Sequence, residues 1–289
     1  MRILSCSLAG LFLVQSVAAQ TGTGFDFRRD LAPGKRFYLQ NIIGNVQVTG
    51  GSGRSVEVSA VKRAGRHGEV EDVTMEVVEL DNGVALCVRY PQQRNNRYRG
   101  SDGRQSKSPC SSDWSGNHER NDTEVDFTVR VPSGLLLHIG TVSGDVAAER
   151  LEGDIQLTSV SGDVRLSGGT GPAVELETVS GNVEILDGRA KEVYGHTVSG
   201  EVTFRGPILA DGSYEFATTS GDIDVALPES PNAKLSAATF SGRFSSDLPT
   251  TQDGARRNRR RHNATWGNGS ARLDLESLSG DIRITTGSR

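Results

Sequence analysis

The chain reads as an all-β protein: a single-stranded β-solenoid, parallel β-helix-like, with coils of about 20 residues behind a less regular β-rich N-terminal region. Three observations predict this. One six-residue phrase is spelled seven times. Glycine is abundant, at 35 of 289 residues, where frequent tight turns are the simplest reason. No useful length of sequence after the N-terminus carries a 3.6-residue apolar period.

The N-terminus reads as a secretory leader over residues 1–19. Arg2 supplies the positive start, Ile3 to Val17 are mostly apolar, and small residues precede an expected cut after Ala19. The run is too short and too poorly flanked for a transmembrane helix, and no second apolar segment of spanning length follows. Cys6 comes too early to be a lipid-modified terminus. The mature chain is therefore expected outside the cytoplasm, in the periplasm, on the cell surface or in the medium. The net charge of −4 names no partner.

Residues 20–135 form the irregular β-rich region. The segments "SVEVSAVK" (from Ser55), "VTMEVVELDNGVALCVRYP" (from Val73) and "EVDFTVRVPSG" (from Glu124) alternate as half-buried strands do, with Asp81-Asn82-Gly83 as a hairpin turn. A worn copy of the phrase surrounds Gly44. These strands are expected to start or cap the stack, because a bare end exposes an unpaired edge. A polar insertion covers residues 92–123. Leader cleavage leaves two cysteines, Cys87 and Cys110. Val84, Leu86 and Val88 share one face, so Cys87 lies on the other, within reach of a loop cysteine. An exported pair invites a disulfide that pins the loop; two free thiols are the alternative.

Residues 136–289 hold the repeats: "TVSGDV" from Thr141, "SVSGDV" from Ser159, "TVSGNV" from Thr178, "TVSGEV" from Thr197, "TTSGDI" from Thr218, "TFSGRF" from Thr239 and "SLSGDI" from Ser277. Their structural turns are Ser143-Gly144, Ser161-Gly162, Ser180-Gly181, Ser199-Gly200, Ser220-Gly221, Ser241-Gly242 and Ser279-Gly280. Ser-Gly fits the centre of a type II turn, whose second central residue needs positive φ. Alternating residues on either side read as strands. A unit this small cannot bury its own apolar side, but stacked copies cover one another. Seven coils at the inter-strand spacing make a rod of roughly 35 Å, with valines inside and Thr and Ser bonding along the ladder. Alternation through "VELETVSG" places Thr178 on the inner face, although Val179 is the more apolar. A bulge at the corner would put both inside. A second insertion, residues 247–268, doubles the last step between repeats. It includes "ARRNRRRHN", is too polar to fold alone, and is expected to be a mobile loop like residues 92–123.

The recurring "T-V-S-G-D-V", the "VPSG" leading into the first full copy and the secretory start resemble the bacterial putative-adhesin family of domains of unknown function. The resemblance covers roughly residues 34–286. It implies an exported or envelope-associated β-solenoid-like protein and brings no catalytic residues. The arginine-rich insertion and the Cys87/Cys110 pair depart from the family.

Chemistry is sparse. The residue after each Ser-Gly is Asp145, Asp163, Asn182, Glu201, Asp222, Arg243 or Asp281. Five of these, Asp145 to Asp222, would form a polar ladder. Stacked carboxylates suit Ca²⁺, yet Asp and Asn also favour turns and satisfy local N–H groups; Arg243 interrupts the file, and no metal is assigned. Arg256, Arg257, Arg259, Arg260 and Arg261, beside His262 and with Trp266 as a stacking face, suit an anionic envelope polymer or glycan. Of phosphate-bearing lipid, acidic glycan and nucleic acid, export ranks nucleic acid last. The five histidines lack metal-ligand spacing, no G-x-S-x-G elbow occurs, and seven equivalent serines are structural. No catalytic residue and no cofactor are assigned. The favoured reading is an exported, non-catalytic, adhesin-like binding or scaffold protein. The alternatives are a polysaccharide-active enzyme, with Glu175, Glu177 and Glu184 supplying carboxylates, and a structural protein that self-associates through its coil ends.

Overall fold

The computed structural model describes residues 17–91, 109–110, 121–252 and 260–287. The leader up to residue 16, most of the 92–123 insertion, and Arg256, Arg257 and Arg259 lie outside the described residues. The irregular region contributes β1 (Val17–Thr21), β2 (Gly24–Asp30), β3 (Arg36–Gln40), β4 (Val46–Gly51), β5 (Ser55–Arg63), β6 (Thr74–Leu80), β7 (Gly83–Arg89) and β8 (Glu124–Pro132). The first repeats give β9 (Leu135–Gly140), β10 (Val146–Glu149), β11 (Gly153–Thr158), β12 (Val164–Ser167), β13 (Thr170–Ser180), β14 (Val183–Leu186), β15 (Arg189–Ser199) and β16 (Val202–Arg205). The remainder gives β17 (Ser213–Ser220), β18 (Ile223–Leu227), β19 (Ala233–Ser241), β20 (Phe244–Ser246), β21 (Thr251–Gln252), β22 (Arg260–Trp266), β23 (Ala271–Ser279) and β24 (Ile282–Thr286).

Each coil runs along one sheet, turns at Ser-Gly and runs along the other. The first sheet has the order β1-β2-β5-β8-β4-β10-β12-β14-β16-β18-β24-β20. The second has the order β21-β22-β19-β23-β17-β15-β13-β11-β9-β3-β7-β6. Repeat strands pair in parallel and in register. Val146, Val164, Val183, Val202, Ile223 and Ile282 stand in one file, all fully buried. The protein is a β-solenoid whose two inner faces form one apolar core. Bulk is balanced between coils. Gly195 leaves room for Phe216, whose ring a Cβ there would meet at 3.0 Å. Phe216 in turn packs on Phe204 with ring centroids 5.0 Å apart.

Strict alternation runs to the corner without a bulge. The first residue of each phrase points inward: Thr178 is 3 % exposed and Thr197 is 0 %. The second points outward, with Val179 at 45 %. The valines inside are those after the glycine, so the expectation of valines stacked inside holds for one of each pair. The corner is also not a type II turn. Gly162, Gly181 and Gly200 have φ of 152–155°, far from the roughly 80° such a turn requires. The chain does not reverse here; it bends while keeping its bonds to the neighbouring coil, as from Gly181 N–H to Ser199 O (3.1 Å).

The last repeat is not last in space. β23 lies between β17 and β19, and β24 between β18 and β20. The chain completes its sixth phrase, departs through the 247–268 insertion, and returns to fill the gap between the fifth and sixth coils.

Antiparallel strands stand at both ends. β8, β5, β2 and β1 continue the first sheet, and β6 closes the second beyond β7. Cleavage after Ala19 would leave Gln20 and Thr21 of β1. At the far end, the arginine-rich insertion is not wholly a loop. β22 pairs antiparallel along β19 from Ala233↔Trp266 to Thr239↔Arg260, and β21 pairs on β22. The open edge of β19 bonds any backbone laid against it, whatever its side chains. Trp266 then anchors the strand: it is buried, and its Nε1 donates to Pro249 O (2.9 Å). It is thus core rather than a stacking face for a ligand. His262 stacks on Phe244, ring centroids 4.1 Å apart. Cys87, fully buried with Tyr38 and Ala85 on the outer side of the second sheet, is joined to Cys110, the Cα atoms 5.5 Å apart.

Candidate functional site

The repeated phrase is engaged in holding coils together. Its inward Thr or Ser hydroxyl donates to the carbonyl of the glycine one coil back: Ser159 to Gly144 (2.9 Å), Thr178 to Gly162 (2.9 Å), Thr197 to Gly181 (2.9 Å). Asn41 does the same work in the worn copy, donating to Gly44 O and Val125 O, both at 2.9 Å. The glycines are imposed by the stack itself, since a Cβ on Gly181 would stand 2.1 Å from Gly162 O.

The fifth residue forms a second ladder. Each side-chain oxygen accepts from the backbone N–H of its counterpart: Asn45 from Asp145 (2.8 Å), Asp145 from Asp163 (2.9 Å), Asp163 from Asn182 (2.7 Å), Asn182 from Glu201 (2.9 Å). Glu201, one methylene longer, accepts from Thr203 Oγ1 instead (3.0 Å). The displaced last coil then places Asp281 beside Asp222 (2.7 Å) and Arg243 beyond Asp281 (2.8 Å). Arg243 therefore ends the file rather than interrupting it. Among the described residues no cluster of His, Cys, Asp and Glu has an arrangement that could hold a metal ion.

Chemistry is left to the outer face of the second sheet. Its central file runs Tyr38, His138, Gln156, Glu175, Tyr194, Glu215, Asp274. Tyr38 and His138 stack with ring centroids 4.3 Å apart. Burial pulls the His138 pKa below its ordinary value. Burial, and then Glu177, push the Glu175 carboxyl up. Burial raises the Tyr194 phenol, helped by Glu177, Glu215 and Glu175. Glu184 belongs to the other sheet and pairs with Arg165 at 2.7 Å, so Glu175, Glu177 and Glu184 do not converge.

Two hollows interrupt this face. One, of about 360 Å³, lies beside the Tyr38–His138 stack and is bordered by Pro109, next to the disulfide. The other, of about 880 Å³, spans β17, β23, β19 and β22. Small residues (Ser213, Ala217, Ser236, Ala238) keep it low, while Glu215, Asp274, Glu276, Lys234, Arg272 and Arg261 surround it. Arg272 is engaged with Asp274. Arg261 is exposed on the strand that carries Arg260. Sequence reading singled out Arg261 but missed Lys234, Glu215, Asp274 and Glu276. Placing each strand residue by its offset from Ser-Gly would have put Glu215 and Asp274 in one file, but not β23 beside β17.

A family model described as Toastrack DUF4097 matches residues 116–285, more than half of the chain. The chain belongs to the Toastrack DUF4097 family. That span covers the repeats and both sides of the larger groove, with the arginine-rich excursion inside it. Among solved structures, the chain is similar to a putative cell adhesion protein from Clostridium sporogenes, with 12% identity, TM-score 0.36, and 91% of this chain and 99% of that one covered. It is similar also to a putative adhesin from Bacteroides fragilis, with 12% identity, TM-score 0.39, and 91% and 98% covered. No curated protein matches. Among the described residues, no helix is long and apolar enough to cross a membrane.

Proposed function

We propose that this Toastrack protein is an exported, adhesin-like binding protein of the bacterial envelope that acts without catalysis, and that its ligand is an acidic glycan seated in the larger groove of the second sheet. The observation that carries the reading is the mixed charge of that groove. Lys234 and Arg261 suit carboxylate, sulfate or phosphate groups. Glu215 and Glu276 accept hydrogen bonds from sugar hydroxyls and oppose a ligand made of negative charge alone, such as a nucleic acid. In the sequence, Arg256, Arg257, Arg259 and Arg260 lie shortly before Arg261 and add to the positive charge of that segment. The repeat supports a passive role, because its serines, threonines and acids hold coils together.

A glycan array tests this, followed by titration of the best ligand. Exchanging Lys234 and Arg261 for Ser is expected to weaken binding at least ~10-fold, the loss of one to two charge-assisted hydrogen bonds. Raised salt is expected to weaken it as well. Unchanged binding in this variant would remove the groove from the account. A second reading is a polysaccharide-active enzyme, favoured by one feature: Glu215 and Glu276 lie in the groove beside basic residues. Shortened glycan products that disappear in Glu215→Gln or Glu276→Gln would establish it.

A further inference from the structure

The second residue of each phrase faces solvent although it is apolar. Val160, Val179, Val198, Leu278 and Phe240 are 38–55 % exposed, and only Thr219 among their counterparts is polar. Register places them in a single straight row, Val160-Val179-Val198-Thr219-Leu278-Phe240, continued at the other end by half-buried Val142 and Ile42. At the inter-strand spacing the row is about 34 Å long. The fold does not need it, since the inward Thr and the buried Val after glycine already hold the corner. Contiguous apolar surface of this length marks an interaction site.

We propose that the row is the interface with a second copy of this chain, the two rods lying side by side and pointing the same way. Pitch is the first argument. A partner must offer apolar groups at the same spacing along a straight line, and another copy does so at every level. Charge is the second. A two-fold axis parallel to the rods sets the residue two places before the row, on the second sheet, across from the fifth phrase residue of the partner. Level by level, Glu177 then faces Asn182, His196 faces Glu201, and Ala217 faces Asp222. The one meeting of like charges, Glu276 with Asp281, occurs where Arg243 already pairs with Asp281 at 3.1 Å. Antiparallel rods would instead set the acidic ladder against itself. Area is the third. Because the chain bends at Ser-Gly, the row is a convex edge about 34 Å long. Two such edges bury less than the ~1,200 Å² of a standard interface, an area suited to a weak, concentration-dependent pair. A lipid surface fits less well, because the acidic ladder beside the row repels headgroup phosphates.

Sedimentation velocity of the purified chain across micromolar concentrations tests the pairing. A concentration-dependent dimer is expected. Val179→Glu with Val198→Glu is expected to leave a folded monomer by circular dichroism. The near-isosteric pair Val179→Thr and Val198→Thr, which cannot disturb folding through charge, is expected to weaken pairing ~10-fold or more. For orientation, Val160→Cys and Phe240→Cys, made separately, are each expected to cross-link to themselves. A native chain that stays monomeric, a dimer indifferent to these variants, or Phe240→Cys that cross-links only with Val160→Cys would overturn the proposal. So would a monomer that floats with phosphatidylcholine vesicles and loses them on Val179→Glu, which gives the row to lipid.

Discussion

The Oδ1 atom of Asp163 accepts a 2.7 Å hydrogen bond from the backbone N–H of Asn182, its counterpart one coil along. The bond explains why Asp and Asn dominate this position. Both hold an acceptor one carbon beyond Cβ, level with the next backbone donor, whereas Glu201 overshoots and turns to Thr203. A file of carboxylates that looks like a cation site from its composition is a set of rungs between coils. Asp281 is held in the same way, and the backbone and side-chain donors of Arg243 lower its pKa.

The hydroxyl ladder makes the first prediction. Thr197 is fully buried and donates to Gly181 O, so Thr197→Val keeps the shape and leaves a buried carbonyl short of a partner. The expected loss is about 1–2 kcal/mol. The neighbouring exchange Val198→Thr faces solvent and is expected to change stability by less than ~0.5 kcal/mol in dilute solution. Urea unfolding of both variants checks the contrast. Equal effects would mean that the inward and outward assignments at the corner are wrong.

Glycine at the corner makes the second. Gly181 has φ of 155°, and a Cβ there would stand 2.1 Å from Gly162 O, a backbone atom fixed by both coils. Gly181→Ala is expected to cost more than ~3 kcal/mol or to prevent folding, since neither coil can retreat without breaking the ladder. Gly53→Ala is the comparison. Its nearest neighbour is 3.8 Å away and its φ is not positive, so a gain of ~0.4–1 kcal/mol is expected from the stiffer unfolded chain. Thermal unfolding distinguishes the two.

These positions show how far the chain announces its own structure. Phrase period and alternation expose the solenoid, because a unit of two short strands has no other way to bury Val183 or Leu176. They leave Val179 undecided, because its apolar side chain and the alternation disagree, and only the need of the glycine carbonyl for a donor decides for Thr178. The place of β23 was hidden for a different reason. Parallel coils are chemically alike, so nothing local distinguishes insertion beside β17 from addition at the end. β22 was hidden by its arginines, since edge pairing depends on backbone groups that composition does not report. The larger groove needed both facts: β23 supplies Asp274 and Glu276, and β22 supplies Arg261.

The Cys87–Cys110 bond makes the third. It joins two cysteines with a sequence separation of 23, and Cys87 lies on the outer side of the second sheet. Holding the ends of such a loop together removes freedom mainly from the unfolded chain, by about 2–4 kcal/mol. Replacing both cysteines by Ala is expected to lower the unfolding free energy by that amount. Because Pro109 borders the smaller hollow, the same variant is expected to speed amide exchange at Tyr38 and His138. Exchange confined to the global unfolding rate in both proteins would show that the bond does not hold that wall.

His138 makes the fourth. Its ring stacks on Tyr38 and its Nδ1 meets Gln156 Oε1, and burial keeps its pKa below the ordinary value of about 6.5. The unfolded chain therefore takes up this proton before the folded one as the pH falls. Between the two values the unfolded state binds more protons, so stability rises with pH. The contribution of neutral His138 is fully present above pH ~6.5, declines as the pH falls below it, and levels once the folded ring is also protonated. Glu175 acts in the opposite sense at lower pH, since its raised pKa favours the protonated folded form as acid is added. Subtracting a variant isolates the imidazole. His138→Phe keeps the stack and is expected to lose less stability than the native chain between about pH 7.5 and 5.5. Parallel urea midpoints for the two proteins over that range would show that His138 is not held neutral.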